Sequence, residues 1–465
     1  MRHTGGWGAG NARGKLAPTP GREQTNSPEQ ASARQLRNTC YVGKKKSNEV
    51  EPARLPREIW VLVAAAVAVA LGFGIVAPVL PRFAKGFGVS TTAATVVVSA
   101  FAFMRLSFAP VSGRLSGIFG ERRMYLVGIS IVSASSLASA LANNYWQLLI
   151  FRSLGGIGSV TFTVAAMSLI IRLAPPHARG RASAAYGAGF LVGNITGPAM
   201  GAVLAPLGFR WPFAIYAAFL MVAFAIVAWQ IPAAPRKKIS LKELEEKQED
   251  GGKPASKPDA DPKIGAPMLV REALQINRFR VVLLTAFAQG WTNMGVRVAI
   301  VPLLAASIVS GPEWLPGGAL AAFAIGNGLA LARAGYWSDL YGRRPIVIIG
   351  LTLSAVFTVA MGMSTSAVAM LIISLVAGMG SGLVQPSQQG AVADIVGKRQ
   401  GSRVISVFQQ AGDLGQIIGP IVAGIMVDAS GFRLAYLISG AIMLVAALVW
   451  IVLVPRSSDD QLQSQ

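Results

Sequence analysis

The sequence predicts an all-α membrane protein of twelve transmembrane helices in two six-helix bundles, and three observations predict it. The 465-residue chain is 53% hydrophobic and only 14% charged, a balance foreign to water-soluble domains of this length. Its apolar residues come in continuous runs, as long as the roughly 20 residues that a hydrocarbon core about 30 Å thick demands of a helix. The two halves of the chain also repeat one another at a fixed offset.

The runs lie at 58–81, 92–113, 123–142, 146–173, 182–206 and 211–232, then 279–307, 317–337, 345–363, 366–393, 403–427 and 433–454. Being continuous and helix-length, they exclude a β-barrel, whose strands alternate apolar and polar residues. Residues 1–57 are polar and basic and lack the apolar core that a signal peptide sets before its cleavage site, so a disordered cytoplasmic tail is expected. Its "GKKK" at 43–46 is either solvated or close to anionic lipid. Cys40, the single cysteine, excludes an intramolecular disulfide and a thiol cluster for zinc or redox work. His3 and His177 fall outside the spans, which argues against a histidine proton relay across the membrane. Residues 233–278 read as a polar cytoplasmic linker with a short helix starting near Ser240, where Glu243 supplies the capping spacing, and 456–465 as a second tail.

A formal charge of +21 could mean nucleic-acid binding, but its distribution points elsewhere. With both termini cytoplasmic, the inner loops hold Arg114, Arg122, Arg123, Arg172, Arg179, Arg181, Arg343, Arg344, Lys398, Arg399 and Arg403. The outer loops hold only Arg82, Lys85, Arg210 and Arg433. This is the positive-inside pattern of a multi-pass protein of the inner (cytoplasmic) membrane. The lipid bilayer is the expected partner, nucleic acid is not, and a monomer is the expected state.

The repeat is the strongest organisational signal. Gly113 and Gly335 stand 222 residues apart (335 − 113), and the same shift relates Gly120 to Gly342, Gly156 to Gly378, Gly158 to Gly380 and Gly197-Pro198 to Gly419-Pro420. With an even number of spans in each half, 58–232 and 279–455, the copies are parallel and share an orientation, which puts a substrate site near the bilayer midplane between them.

The stretches "GRLSGIFGERR" at 113–123 and "GYWSDLYGRRP" at 335–345 resemble the loop motif of major facilitator superfamily transporters. The resemblance runs from about residue 58 to 455 and takes in "RSLGGIG" at 152–158 and "GNITGPAMG" at 193–201, which resemble that superfamily's fourth- and fifth-helix motifs. The opening "GFGIVAPVLPRFA" at 72–84 is similar to the first helix of twelve-span drug:proton antiporters. The resemblance implies a cytoplasmic gate formed by Gly113, Gly120, Arg122, Arg123, Gly335, Asp339, Gly342, Arg343 and Arg344, and a part in proton coupling for Arg152. In the second copy Asp339 can pair with Arg343 and Arg344 or face a helix N-terminus. The first copy departs from the pattern: Gly117 stands where Asp339 does in the second, so its latch is absent or replaced, with Glu121 nearby as a stand-in.

Each motif has a physical reading of its own. Arg152 lies inside a span, where a charge needs a partner or a wet cavity, or else snorkels to the interface; its copy is Ser374. Gly189, Gly193, Gly197 and Gly201 share one helix face that lets a neighbour approach, and Pro198 bends the helix. Gly415, Gly419 and Pro420 repeat this, so part of the pattern is scaffold. Asp413 is the acid deep in a span, about ten residues into the eleventh, and its counterpart is Leu191. Arg105 sits at a matching depth in the second span, at about 1.5 Å of rise per residue. The superfamily's architecture makes these two helices neighbours, so an Arg105–Asp413 pair bridging the halves is expected, either a proton-sensitive switch or a static pair.

Asn194, Gln289, Trp291, Asn293, Gln385, Gln389 and Gln409 are the candidates for lining a substrate cavity or for bonding neighbouring helices, and Arg297 is expected to snorkel outward. The resulting expectation is a secondary active transporter exporting small amphiphilic compounds against protons. Import or uniport of a nutrient such as a sugar or organic acid is the alternative, and a membrane enzyme or signalling protein a more distant one. No metal cluster, nucleotide loop or paired catalytic acids appear in the sequence, so neither a cofactor nor enzymatic activity is expected.

Overall fold

The computed structural model describes residues 55–175, 178–231, 268–308, 312–397, 399 and 402–454. The tails at 1–54 and 455–465, most of the linker including the helix expected near Ser240, His177 and Lys398 lie outside the described residues.

In the first half, α1 (Arg57–Val76) continues through a turn into a short helix, Leu80–Lys85. It is followed by α2 (Thr91–Phe119), α3 (Glu121–Ala140), α4 (Tyr145–Leu173), α5 (Arg179–Leu204) and α6 (Trp211–Gln230). A short helix, Val270–Gln275, precedes α7, which runs from Asn277 to Ser307 with a π-helical segment, Gly290–Val296, inside it. Then come α8 (Leu315–Tyr341), α9 (Arg343–Met361), α10 (Ala367–Val396), α11 (Ser402–Ser430) and α12 (Phe432–Leu453). Eleven of these are long and apolar enough to cross a membrane; α7 is the exception, because the π segment divides it.

Local chemistry sets the helix ends. Ser90 Oγ accepts from Ala93 N at 3.1 Å and Asn144 Oδ1 from Gln147 N at 2.9 Å, capping α2 and α4. Gly120 (φ 87°) and Gly342 (φ 86°) break the chain between α2 and α3 and between α8 and α9, in a conformation that disfavours a side chain. Helix runs up to both of them, so most of each loop motif is the last two turns of a helix rather than loop. The sequence reading ends those spans earlier because hydropathy, not hydrogen bonding, marks its boundaries.

The repeat is physical. A Cβ on Gly128 or Gly158 would jam α3 against α4 and one on Gly350 or Gly380 would jam α9 against α10, the Gly158-to-Gly128 and Gly380-to-Gly350 approaches both being 2.7 Å. Arg122 donates to the Ala228 carbonyl at 2.7 Å, and its copy Arg344 to Ile451 at 3.0 Å, tying α3 to α6 and α9 to α12. Within each half α5 packs on α1 and α11 on α7; between halves α2 packs on α11 and α5 on α8.

Candidate functional site

Between the halves, a cavity is lined by Phe73, Phe101 and Arg152 from the first half and by Met294, Val298 and Gln416 from the second. Arg152 is 2% exposed, so it does not snorkel. Its guanidinium lies 4.8 Å from the Phe101 ring centroid and 6.0 Å from that of Phe213, and its Nε and Nη1 have no hydrogen-bond partner. A desolvated cation–π contact contributes about 2 kcal/mol, whereas an unpaired buried ion costs several. The rings offset only part of that cost.

The helix pair α2 and α11 carries the next feature. Asp428 accepts from Thr91 N at 2.9 Å, Thr92 N at 2.7 Å and Thr92 Oγ1 at 2.7 Å, so a carboxylate of one half caps a helix N-terminus of the other. One turn back, a Cβ on Gly424 would overlap Thr92 and Thr95, and across the other seam one on Gly317 would lie 2.6 Å from Ala202 N. The halves are therefore sealed at this end. At the other end, which carries the loop motifs, Gly113, Gly117, Gly187 and Gly335 of α2, α5 and α8 face open space.

The clasp also sets a register. From Gly424, beside Thr95, Asp413 is eleven residues back along α11 (424 − 413) and Arg105 ten residues on along antiparallel α2 (105 − 95). The two charges thus come level across the interface and within electrostatic reach of one another. The expected ion-pair contact is not closed in this conformation, in which the halves meet at the far end of the same two helices.

At the loop-motif end, Arg343 binds Asp394 at 2.6 Å rather than Asp339, with Arg278 3.6 Å from the same carboxylate. Asp339 is exposed at the end of α8. In the first half Glu121 binds Arg172 at 3.0 Å. Both residues stand 222 positions from the second pair (343 − 121, 394 − 172), so the same joint recurs with its charges exchanged. Sequence reasoning missed Asp394 and Asp428; the first is legible as the repeat partner of Arg172, the second only from the fold.

The other expected residues do not converge on one cavity. Trp291 is buried and donates from Nε1 to Ser439 Oγ at 3.1 Å. Asn293 donates to Gln289 Oε1 and, at 2.8 Å, to Ser381 Oγ, leaving Gln289 Nε2 and Asn293 Oδ1 without partners. Gln385, Gln389 and Gln409 are exposed towards the loop-motif end, and Asn194 is half-buried on α5. Gly193, Gly197 and Gly201 turn to α1 of their own half and Gly415 and Gly419 to α7; Gly74 meets Pro198, as Gly295 meets Pro420. Arg297 corrects the sequence reading: it is 4% exposed, 3.8 Å from the Phe323 ring centroid, with Nε unpartnered.

The cause is the π segment. Along α1 and α7 the equivalent contacts are Val67 O and Phe287 O against Gly193 and Gly415, then Leu71 O and Trp291 O against Gly197 and Gly419, both 220 residues apart. Near the end of the segment the equivalents are Gly74 and Gly295, 221 apart. One extra residue has been accommodated, as a π-bulge does, which changes the face of α7 on which Arg297 falls, and Arg297 is buried.

Two parallel six-helix repeats that enclose a cavity between them and are clasped at one end have the architecture of a membrane transporter. A family model described as Major Facilitator Superfamily matches residues 62–313 and 282–464. The chain belongs to that superfamily. It is 26% identical over 364 residues to Multidrug resistance protein 1 of Bacillus subtilis (strain 168), covering 77% of this chain and 86% of that one. It is 28% identical over 168 residues to Quinolone resistance protein NorA of Staphylococcus aureus (strain Mu50 / ATCC 700699), covering 36% of this chain and 43% of that protein. Among solved structures, a bacterial homolog of the human lysosomal transporter Spinster, inward-facing and unoccupied, superposes with a TM-score of 0.68 at 16% identity, covering 85% of this chain and 97% of that one. A D-xylose–proton symporter superposes with a TM-score of 0.66 at 15% identity, covering 86% and 98%. These likenesses show the fold.

Proposed function

We propose that this protein exports small amphiphilic or drug-like compounds in exchange for protons by alternating access, with the loop-motif end and both termini on the cytoplasmic side of the inner membrane. The observation that carries the reading is the α2–α11 seam, where a titratable acid, Asp413, stands level with Arg105 on the helix pair that Asp428 clasps at its far end. An ionised Asp413 draws the halves together at its depth, and a proton on it removes that attraction. On this reading proton occupancy and gate position are coupled on one seam, and the conformation clasped at the Asp428 end is the inward-facing one. The relatives named for multidrug and quinolone resistance support export of amphiphiles.

The test is flux in proteoliposomes holding the purified full chain, with a panel of cationic, neutral and anionic fluorescent amphiphiles. Movement of at least one against its own gradient, driven by an imposed pH gradient and stopped by an uncoupler, is expected; Asp413→Asn should lose the coupled movement. Uptake of a pentose or organic acid with protons, and no movement of any amphiphile, would replace this reading with nutrient symport.

A further inference from the structure

Each half buries one guanidinium on a phenylalanine, and the two phenylalanines are the same residue of the repeat. Phe101 and Phe323 are 222 positions apart (323 − 101), and their carbonyls are crowded by Gly156 and Gly378, which stand in the same relation. Arg152 covers the first ring and Arg297 the second. A tyrosine of the last helix of each half lies within electrostatic reach: Tyr216 for Arg152, Tyr436 for Arg297. Yet the arginines come from different elements, α4 in one half and α7 in the other. The repeat position of Arg152 in the second half is Ser374, and that of Arg297 in the first, by the local offset of 221, is Val76. The same group thus lies on the equivalent ring of each half, reached from positions that the repeat does not relate.

We propose that Arg297, Phe323 and Tyr436 form an anion-binding site beside the cavity that Arg152 lines, and that the compounds this protein carries include amphiphiles with an acidic group such as an aromatic carboxylate; this rests on the transport reading above. Arg297 Nε and the Tyr436 hydroxyl are both buried and both lack a hydrogen-bond partner. Both are donors; among the described residues no carboxylate forms an ion pair with Arg297, and Tyr436 lies within its electrostatic reach. Two unsatisfied donors beside a permanent cation on an aromatic face call for an oxyanion with an apolar body. The site is within reach of the cavity: Met294 and Val298, before and after Arg297 on α7, line it, and so does Val76, the repeat counterpart of Arg297.

Binding of tritiated 2-naphthoate to the full chain in lipid nanodiscs, with 2-naphthylmethylammonium as a competitor of the same ring and opposite charge, tests this. Saturable naphthoate binding that the ammonium compound does not displace is expected. Arg297→Gln should weaken it at least tenfold, and Tyr436→Phe several-fold. Because Arg297 is an unpaired buried charge, Arg297→Gln should melt no lower than the unmodified protein when unliganded. A lower melting temperature would make the guanidinium a structural group and overturn the proposal, as would equal affinity for both naphthyl compounds or naphthoate binding that survives Arg297→Gln. Gradient-driven flux of cationic dyes without naphthoate binding would sink the anion site and leave the export reading standing. Naphthoate binding lost in Arg297→Gln, with no flux of any panel compound, would do the reverse.

Discussion

Asp413 shows how little a single residue says without its neighbours. In the sequence it is an acid in an oily span; in the structure it stands level with Arg105 on the other half, and the partnership is set by the α2–α11 register rather than by either side chain. Exchanging the two charges, Asp413→Arg with Arg105→Asp, should restore proton-driven flux lost in either single variant, and a double variant as inactive as the singles would show that the residues do not act on one another. The joints at the loop-motif end permit a second exchange. Glu121→Arg alone sets two cations together and should lower the melting temperature; adding Arg172→Glu rebuilds the arrangement of Arg343 and Asp394 and should recover most of the loss. With both side chains about a third exposed, the coupling in a double-mutant cycle should be only about 0.5–1 kcal/mol.

At the scale of elements, the glycines decide which helices can touch. Gly74 against Gly197 and Pro198 brings α1 and α5 to backbone contact, and a methyl group there has nowhere to go, since the atoms it would meet are main chain and a proline ring. Gly74→Ala should therefore destabilise the first half by about 1–3 kcal/mol, read as a lower melting temperature in detergent. The fifth-helix motif is legible in sequence as a close-packing face, but its partner is not: spacing places the glycines on one side of α5, and only the fold says that this side meets α1. The π segment of α7 is harder to foresee. It leaves hydropathy untouched, yet shifts the repeat offset from 220 to 221 and turns Arg297 inward, which is why an arginine late in an apolar run reads as a snorkelling one.

For the whole molecule, the Asp428 clasp joins the two halves at one end of the α2–α11 seam, so its loss is expected to move the conformational balance. A carboxylate capping a helix N-terminus is worth about 1 kcal/mol, so Asp428→Ala should shift the population away from the sealed state about fivefold. Thr95, fully buried beside the clasp, reports on this. In a Cys40→Ser background, Thr95→Cys should be inert to a membrane-impermeant maleimide and become reactive once Asp428 is replaced. Reactivity that is the same with and without Asp428 would mean that the clasp does not hold the seal.

Periodicity and length in the sequence determine nearly all the elements, because a lipid solvent dictates how long and how apolar each helix must be, while the superfamily is legible only in the motifs that resemble it. The 222-residue repeat likewise determines the parallel halves, and it foretells the Arg122 and Arg344 ties and the exchanged Glu121–Arg172 joint. Contacts between elements are decided by tertiary structure alone: that Asp428 reaches Thr91 and Thr92, that Arg343 binds Asp394 instead of Asp339, and that Arg152 and Arg297 lie on equivalent rings. The reason is physical. Hydropathy is a property of one helix against its solvent, whereas a partner is a property of two helices, their register and the rotation that a single inserted residue gives to one of them.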